Sequence, residues 1–524
     1  MPAPPAKKLS TWQSLVAALS SWRTASVALQ SFSSGLPLGL VWIAIPDWLT
    51  KAGVDLRVVG LVTLAQAPWT FKFLWSPLMD RFVPPWLGRR RGWTALAQLA
   101  LFVTTLALAG VGDHPDTPWI VGALALAIAF SAATQDIAID AYAVEVLRPD
   151  EQAVAVGART AIYRAAMYLA GGFAITAAGQ FSWPLVNAVL AVLYLPLLVI
   201  TWKSPEPEVP SVAPKSLREA VWFPFLGFLG RHRALEILAF VFFYKFADQL
   251  AQTLQRSFLV QMGYSDFDRG VALATVGLFG NLVGVFLGGA MTPFLGLGRA
   301  LWVFGLLQLV SNLGYVLLAV QTGPERALMY GAMGFETLTS GMGTGAFSVL
   351  LLRMTQKRFS ATQYALFSSL FGLPRLLAGP ICGYLVHAVG WTTFFWSTLA
   401  AGIPGLVLLS RFVPIGVREP EFTVEPPHGK PPLTTRELLW RGTVGTVVGV
   451  LFGLLMRAGL RALEAAKTGP FDLVAALERL LAPATGKEWL GLLGLLVFGV
   501  VCGLFTAAVA AARRGAGAEL ADAG

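Results

Sequence analysis

Ionisable side chains stand inside long apolar runs of this 524-residue chain, and their types and spacing could do chemistry. Asp136 and Asp140 share one run; Lys245, Asp248 and Arg256 share another; Glu336 and Arg375 lie in two more. A charge at bilayer depth costs about 2.5 kcal/mol or more, so it faces a partner, a water-filled cavity or a passing solute. Spread over separate runs, these residues call for a polar path through the middle of a many-helix protein.

Each group has a specific use. Asp136 and Asp140 are i,i+4 and therefore share a helix face. Two carboxylates in a low-dielectric surround resist double ionisation, so either could take up and release a proton. The plainer reading of Asp140 is a solvated or capping position near the cytoplasmic end. Lys245, Asp248, Gln249, Gln252 and Arg256 form a stripe at helical spacing. Lys245 and Asp248 could neutralise each other, and the amides could bind polar solute. Glu336 sits near mid-membrane and needs a partner, with Lys245 or Arg375 as candidates. Arg164 and Arg375 could grip a carboxylate, because guanidinium meets it with two parallel hydrogen bonds. They could equally pair with Asp136, Asp140 or Glu336. Lys72 is expected to extend its amine to the cytoplasmic surface. In SPLMDRFVPPWLGRRRGW (76–93), Asp80, Arg81, Arg89, Arg90 and Arg91 could make a latch that breaks and reforms, or could simply anchor the chain on the cytoplasmic side.

The elements that must position these residues are helices. Hydrophobic residues make up 56% of the chain and charged residues 13%, about half the charged share of a soluble domain. About 20 apolar residues span a bilayer, and backbone in lipid must satisfy itself. Twelve runs fit: roughly 24–46, 57–79, 93–112, 118–143, 153–179, 183–202, 234–260, 269–295, 299–320, 326–352, 361–388 and 391–412, with two more near 440–461 and 488–511. The Pro-rich, charged stretch 203–233 divides the twelve six and six. The expected domains are a cytoplasmic N-terminal segment (1–23), a first six-helix bundle (24–202), a cytoplasmic linker (203–233), a second bundle (234–412) and an extension with two further helices (413–524). Gln152 and Arg164 are twelve residues apart, as are Gln363 and Arg375, a weak echo of one half in the other.

Composition excludes several functions. Lys and Arg crowd the loops on one side, which places the N-terminus and the linker of a multi-pass membrane protein in the cytoplasm. The formal charge of +10 then reflects topology and attraction to anionic membrane lipids, with no nucleic-acid groove. Two cysteines and four histidines, without HExxH spacing, argue against a disulfide framework, a metal or a cofactor. No cleavable signal peptide is expected. No GxSxG pattern or nucleophile–base set suggests an enzyme.

FKFLWSPLMDR (71–81), GRRRGW (88–93), QDIAIDA (135–141), GMGTGAF (341–347) and SATQYALFSS (360–369) together resemble the muropeptide permease family, of AmpG type, in the major facilitator superfamily. The likeness covers about 24–412 and leaves 413–524 apart. It implies an all-α polytopic fold of two six-helix bundles, here with two extra C-terminal helices. It also implies proton-driven import of N-acetylglucosaminyl-1,6-anhydro-N-acetylmuramyl peptides, serving cell-wall recycling and signalling to β-lactamase induction. By motif it points to Asp136, Asp140, Lys245, Asp248, Glu336 and Arg375. The implied partners are a muropeptide, protons and lipid, with no obligatory protein partner. Rival readings are a carrier of another anion such as acetyl-CoA, a membrane enzyme, and a non-transporting receptor or scaffold.

Overall fold

A computed structural model of the chain describes residues 20–54, 62–112, 118–207, 213–422, 431, 433–465 and 470–516. Helices dominate, and no strand occurs among the described residues. The first six rods are α1 (Trp22–Lys51), α2 (62–81), α3 (Arg89–Ala109), α4 (Pro118–Val146), α5 (152–178) and α6 (Trp183–Lys203). The next six are α7 (234–261), α8 (Phe267–Leu295), α9 (Leu297–Ala319), α10 (Arg326–Met354), α11 (360–389) and α12 (391–412). Two more follow, α13 (Thr435–Ala465) and α14 (Gly486–Ala512). The segment expected as a linker contains a helix, Leu217–Leu229. Among the described residues, nine helices are long and apolar enough to cross a membrane. The rods outside that group, α2, α5, α7, α10 and α11, include those that carry Lys72, Arg164, Lys245, Glu336 and Arg375.

Several rods are interrupted, two of them at a lysine. α2 tightens into a 3₁₀ turn at Lys72–Leu74. α7 leaves helical geometry at Lys245 (φ −107°, ψ 5°) and again at Leu254 (φ −106°, ψ 12°). Wide π turns occupy Leu40–Ala44 of α1, Leu169–Phe173 of α5 and Val271–Val276 of α8. Such turns free backbone groups and re-aim side chains, which is why they collect at functional sites. α11 and α12 would otherwise run on as one rod; Gly390, at φ +74°, separates them in a conformation that only glycine adopts cheaply.

Contacts divide the chain into two compact units. One comprises residues up to Ala220 and Glu236–Glu421. It has an apolar core in each six-helix half. Leu36, Trp48, Leu101, Ile128 and Leu190 belong to the first, and Phe258, Leu259, Tyr315, Met333 and Phe395 to the second. A smaller cluster joins Met79 of α2 and Ile137 and Ala141 of α4 to Ala361 and Ala365 of α11, so the halves also share apolar contact. α8 lies directly on α10. A Cβ on Gly341 would come within 2.6 Å of the Asn281 carbonyl oxygen and 2.9 Å of the Val285 nitrogen, both rigid backbone atoms. Small residues permit this approach. Gly341→Ala is expected to cost about 1–3 kcal/mol through overpacking, read as a lower melting temperature in detergent; an unchanged melt would contradict the packing described.

The second unit comprises Val221–Leu235 and Phe422–Gly524. Its α13 and α14 meet along a small-residue seam, where a Cβ on Gly449 would stand 2.7 Å from the Cys502 Cβ. The helix Leu473–Leu481 starts with Asp472 accepting from the Ala475 N–H (2.9 Å) and packs Ala476 and Leu480 on Ala458 and Ala462. The Arg231 guanidinium lies between the rings of Phe228 and Phe422, 5.7 and 5.8 Å from their centres.

Candidate functional site

α4 carries its carboxylates on the face turned toward α2 and α5. The buried Lys72 amine donates to Asp140 Oδ2 at 3.2 Å, and Arg159 of α5 pairs with Asp140 Oδ1. Lys72 was expected at the surface, and the structure corrects this; of the two readings open for Asp140, the solvated one does not hold, since it is buried. The 3₁₀ turn holds Lys72 beside a desolvated carboxylate, a stronger partner than distant water. Asp140 is thus held by two cations. Asp136, one turn earlier, lines a cavity of about 250 Å³ together with Asp140, Arg159, Tyr163 and Arg164. Ser348 of α10 and Tyr364 of α11 complete its wall, so the cavity lies between the six-helix halves.

A second cavity, of about 210 Å³, is lined by Arg164, Tyr168, Gln252, Gln255, Asn281 and Thr337. Arg164 therefore borders both spaces. Its guanidinium makes no ion pair or hydrogen bond among the described residues. A cation in a polar cleft with its donors uncommitted is suited to an anionic solute.

The second half builds its polar cluster from the broken α7. Lys245, 2% exposed, donates to Asp248 Oδ2 (2.7 Å), Gln308 Oε1 (3.0 Å), the Ser340 carbonyl (2.8 Å) and Ser340 Oγ (3.0 Å). The break at Lys245 itself brings its amine to these acceptors. Glu336 is fully buried; its Oε1 accepts from Gln252 Nε2 (2.7 Å) and its Oε2 from the Tyr315 hydroxyl (3.1 Å). Lys245 was a candidate partner for Glu336, but it is committed to Asp248. Gln249 is half-buried and makes no side-chain hydrogen bond among the described residues, so it stands outside this cluster. Arg256, expected in the same stripe, is exposed, because α7 restarts in a new direction after Leu254. Arg375 lies in α11, but its side chain falls outside the described residues.

At the Arg-rich end the halves are bonded to each other. Arg90, 3% exposed, donates to Asp80 Oδ1 (2.6 Å), Glu145 Oε1 (2.8 Å) and Ser360 Oγ (2.7 Å). Asp80 Oδ2 accepts from the Thr362 N–H (2.8 Å) and hydroxyl (2.6 Å), capping the N-terminus of α11 from the other half. Arg89 adds a second ion pair to Glu145 at 2.9 Å. Two residues expected here are elsewhere. Arg81 stacks over Phe82, and Arg91 binds Glu206 and the Ser204 carbonyl (2.7 Å), just beyond the end of α6.

Among the participants that escaped the sequence reading are Arg159, Glu145, Tyr315 and Gln308. Arg159 carried the same signal as the others, an ion inside an apolar run. Glu145 sits at a helix end, where a charge is ordinary.

The Major Facilitator Superfamily model matches residues 27–379. The chain is 40% identical over 389 residues to the anhydromuropeptide permease of Escherichia coli K12, covering 74% of this chain and 79% of that one. It is 27% identical to a Rickettsia conorii transporter named AmpG 4, covering 74% and 96%. Among solved structures, the human organic anion transporter MFSD10 superposes with a TM-score of 0.56 at 12% identity, covering 74% of this chain and 99% of that one, a likeness of fold alone. The chain belongs to the anhydromuropeptide permease family of the Major Facilitator Superfamily.

Proposed function

We propose that this protein imports anhydromuropeptides, N-acetylglucosaminyl-1,6-anhydro-N-acetylmuramyl peptides, across the bacterial inner membrane by proton symport. Both termini would then be cytoplasmic, and the Arg-rich end would be the cytoplasmic gate. The observation that carries the reading is the uncommitted Arg164 guanidinium bordering both cavities, among the side-chain amides of Gln252, Gln255 and Asn281 and the hydroxyls of Tyr168 and Thr337. A muropeptide offers carboxylates to the first, and amides and sugar hydroxyls to the rest. The substrate named for the E. coli relative, at 40% identity, supports the same assignment.

Alternating access supplies the mechanism. The bonds of Arg90 and Asp80 close one end while the cavity takes substrate from the other. Breaking them would let the halves rock and release substrate to the cytoplasm. Moving an anion into an inside-negative compartment costs about 2.3 kcal/mol per charge per 100 mV, and co-moving protons offset that. Asp136, Asp140 and Glu336 are the acids placed to carry them.

Uptake of radiolabelled anhydromuropeptide into proteoliposomes tests the proposal. Wild type should accumulate label when the outside is acid, lose it with a protonophore, and ignore excess acetyl-CoA. Arg164→Ala should weaken substrate binding by about 2 kcal/mol, seen as a roughly thirtyfold rise in KM, with Arg164→Lys intermediate. Uptake indifferent to an imposed pH gradient would refute the symport, and full competition by acetyl-CoA would refute the substrate.

A further inference from the structure

Within both polar clusters some acids are held by cations and some are not; Asp136, which lines the first cavity, has no ion pair among the described residues. Asp140 is held by Lys72 and Arg159, and Asp248 by Lys245. Glu336 is fully buried and has no ion pair among the described residues; its two hydrogen bonds come from neutral donors, Gln252 and Tyr315. Gln252 also lines the cavity that contains Arg164, and so does Gln255, which donates to the Tyr315 oxygen at 2.6 Å. Glu336 Oε1 is thus one donor removed from the solute space and Oε2 two.

We propose that Glu336 is the proton-coupling carboxyl and that Gln252 makes its protonation depend on substrate. This rests on the importer reading above and adds the acid and the trigger. An ionised carboxylate is stabilised by donors, so removing one favours the neutral form. When a substrate amide or hydroxyl draws the Gln252 side chain into the cavity, Glu336 Oε1 loses its 2.7 Å donor. A proton taken up from the outside medium by way of the cavity then binds that oxygen, and the protonated carboxyl travels with the loaded carrier.

The neighbours set the sign. From α7, Lys245 and Asp248 face the site as a matched pair; from α9, the Tyr315 hydroxyl donates. α10 supplies Ser340, whose Oγ receives both Lys245 (3.0 Å) and Gln252 (3.3 Å). This shared hydroxyl links the amide's position to the ion pair. α5 contributes Arg164 across the cavity, where it favours the substrate anion rather than the carboxyl. Asp136 and Asp140 line the other cavity, and Asp140 is held there by Lys72 and Arg159.

Calorimetry of anhydromuropeptide binding, in two buffers of different ionisation enthalpy near neutral pH, reads the protons taken up. Wild type should show a buffer-dependent heat, meaning net proton uptake on binding. Glu336→Gln should show a heat that no longer depends on the buffer, and its pH-driven accumulation in proteoliposomes should be lost. Gln252→Leu tests the trigger separately, since it leaves Glu336 without that donor at all times; binding should then cause little further uptake. If Glu336→Gln does not yield folded protein, the Gln252→Leu result decides. Wild-type-like proton uptake in either folded variant would overturn the proposal. Absence of any binding or uptake by wild type would instead strike the importer reading itself.

Discussion

Arg90→Ala is expected to destabilise the protein by about 3–5 kcal/mol and to reduce muropeptide uptake to background. Arg90 is nearly inaccessible to solvent and is the common donor to Asp80 and Glu145. Truncating it leaves two buried carboxylates, of which Asp80 loses its 2.6 Å ion pair and Glu145 keeps the one to Arg89. An uncompensated buried charge is what makes breaking such a network so costly. Asp80 also caps α11, so its reorganisation reaches the other half of the molecule. Arg90→Lys should not restore function, because an ammonium cannot span Asp80, Glu145 and Ser360 as the planar guanidinium does. A thermal melt in detergent, beside initial uptake rates, checks both effects. A variant that melts and transports like wild type would show that the bonds between the halves at this end carry no weight.

Lys245→Ala should be comparably severe for a different reason. The Lys245 amine is the shared donor for Asp248, Gln308 and Ser340, all buried. Alanine leaves the buried Asp248 carboxyl without its ion pair, again at a cost of about 3–5 kcal/mol. The double variant Lys245→Met with Asp248→Asn removes both charges. It should recover much of the stability, since well-packed neutral replacements of a buried pair are often tolerated. It should not recover transport, because the broken geometry of α7 would no longer be fixed by the ion. Melting temperature and uptake should therefore separate in the double variant. Recovery of both together would reduce Lys245 and Asp248 to a structural pair.

Much of the architecture could be read directly from residue order. The apolar runs mark the membrane-crossing helices, and the ions within them mark α4, α7 and α10. Partner choice could not be read. Lys72 looks like a lysine reaching for the surface until the 3₁₀ turn of α2 sets it beside Asp140. Arg256 belongs to the polar stripe of α7 on an ideal helix; the break at Leu254 turns it outward. The interruptions depend on contacts with other helices, so local spacing does not reveal them. Glu145 becomes visible only when α3 and α11 converge on it, through Arg90 and Ser360. The helix Leu217–Leu229 was hidden by the prolines around it.

The central claim is that solute passes through the space between the halves where Asp136, Arg159 and Arg164 meet Ser348 and Tyr364. A cysteine at Thr160, which lines that space, tests it most directly, in a background with Cys382 and Cys502 replaced by alanine. The rate of maleimide labelling is measured with and without saturating anhydromuropeptide, in a variant confirmed to transport. Substrate should slow the labelling markedly, and an unrelated peptide should not. Equal labelling rates with and without substrate, in a protein still transporting it, would mean that the muropeptide travels elsewhere.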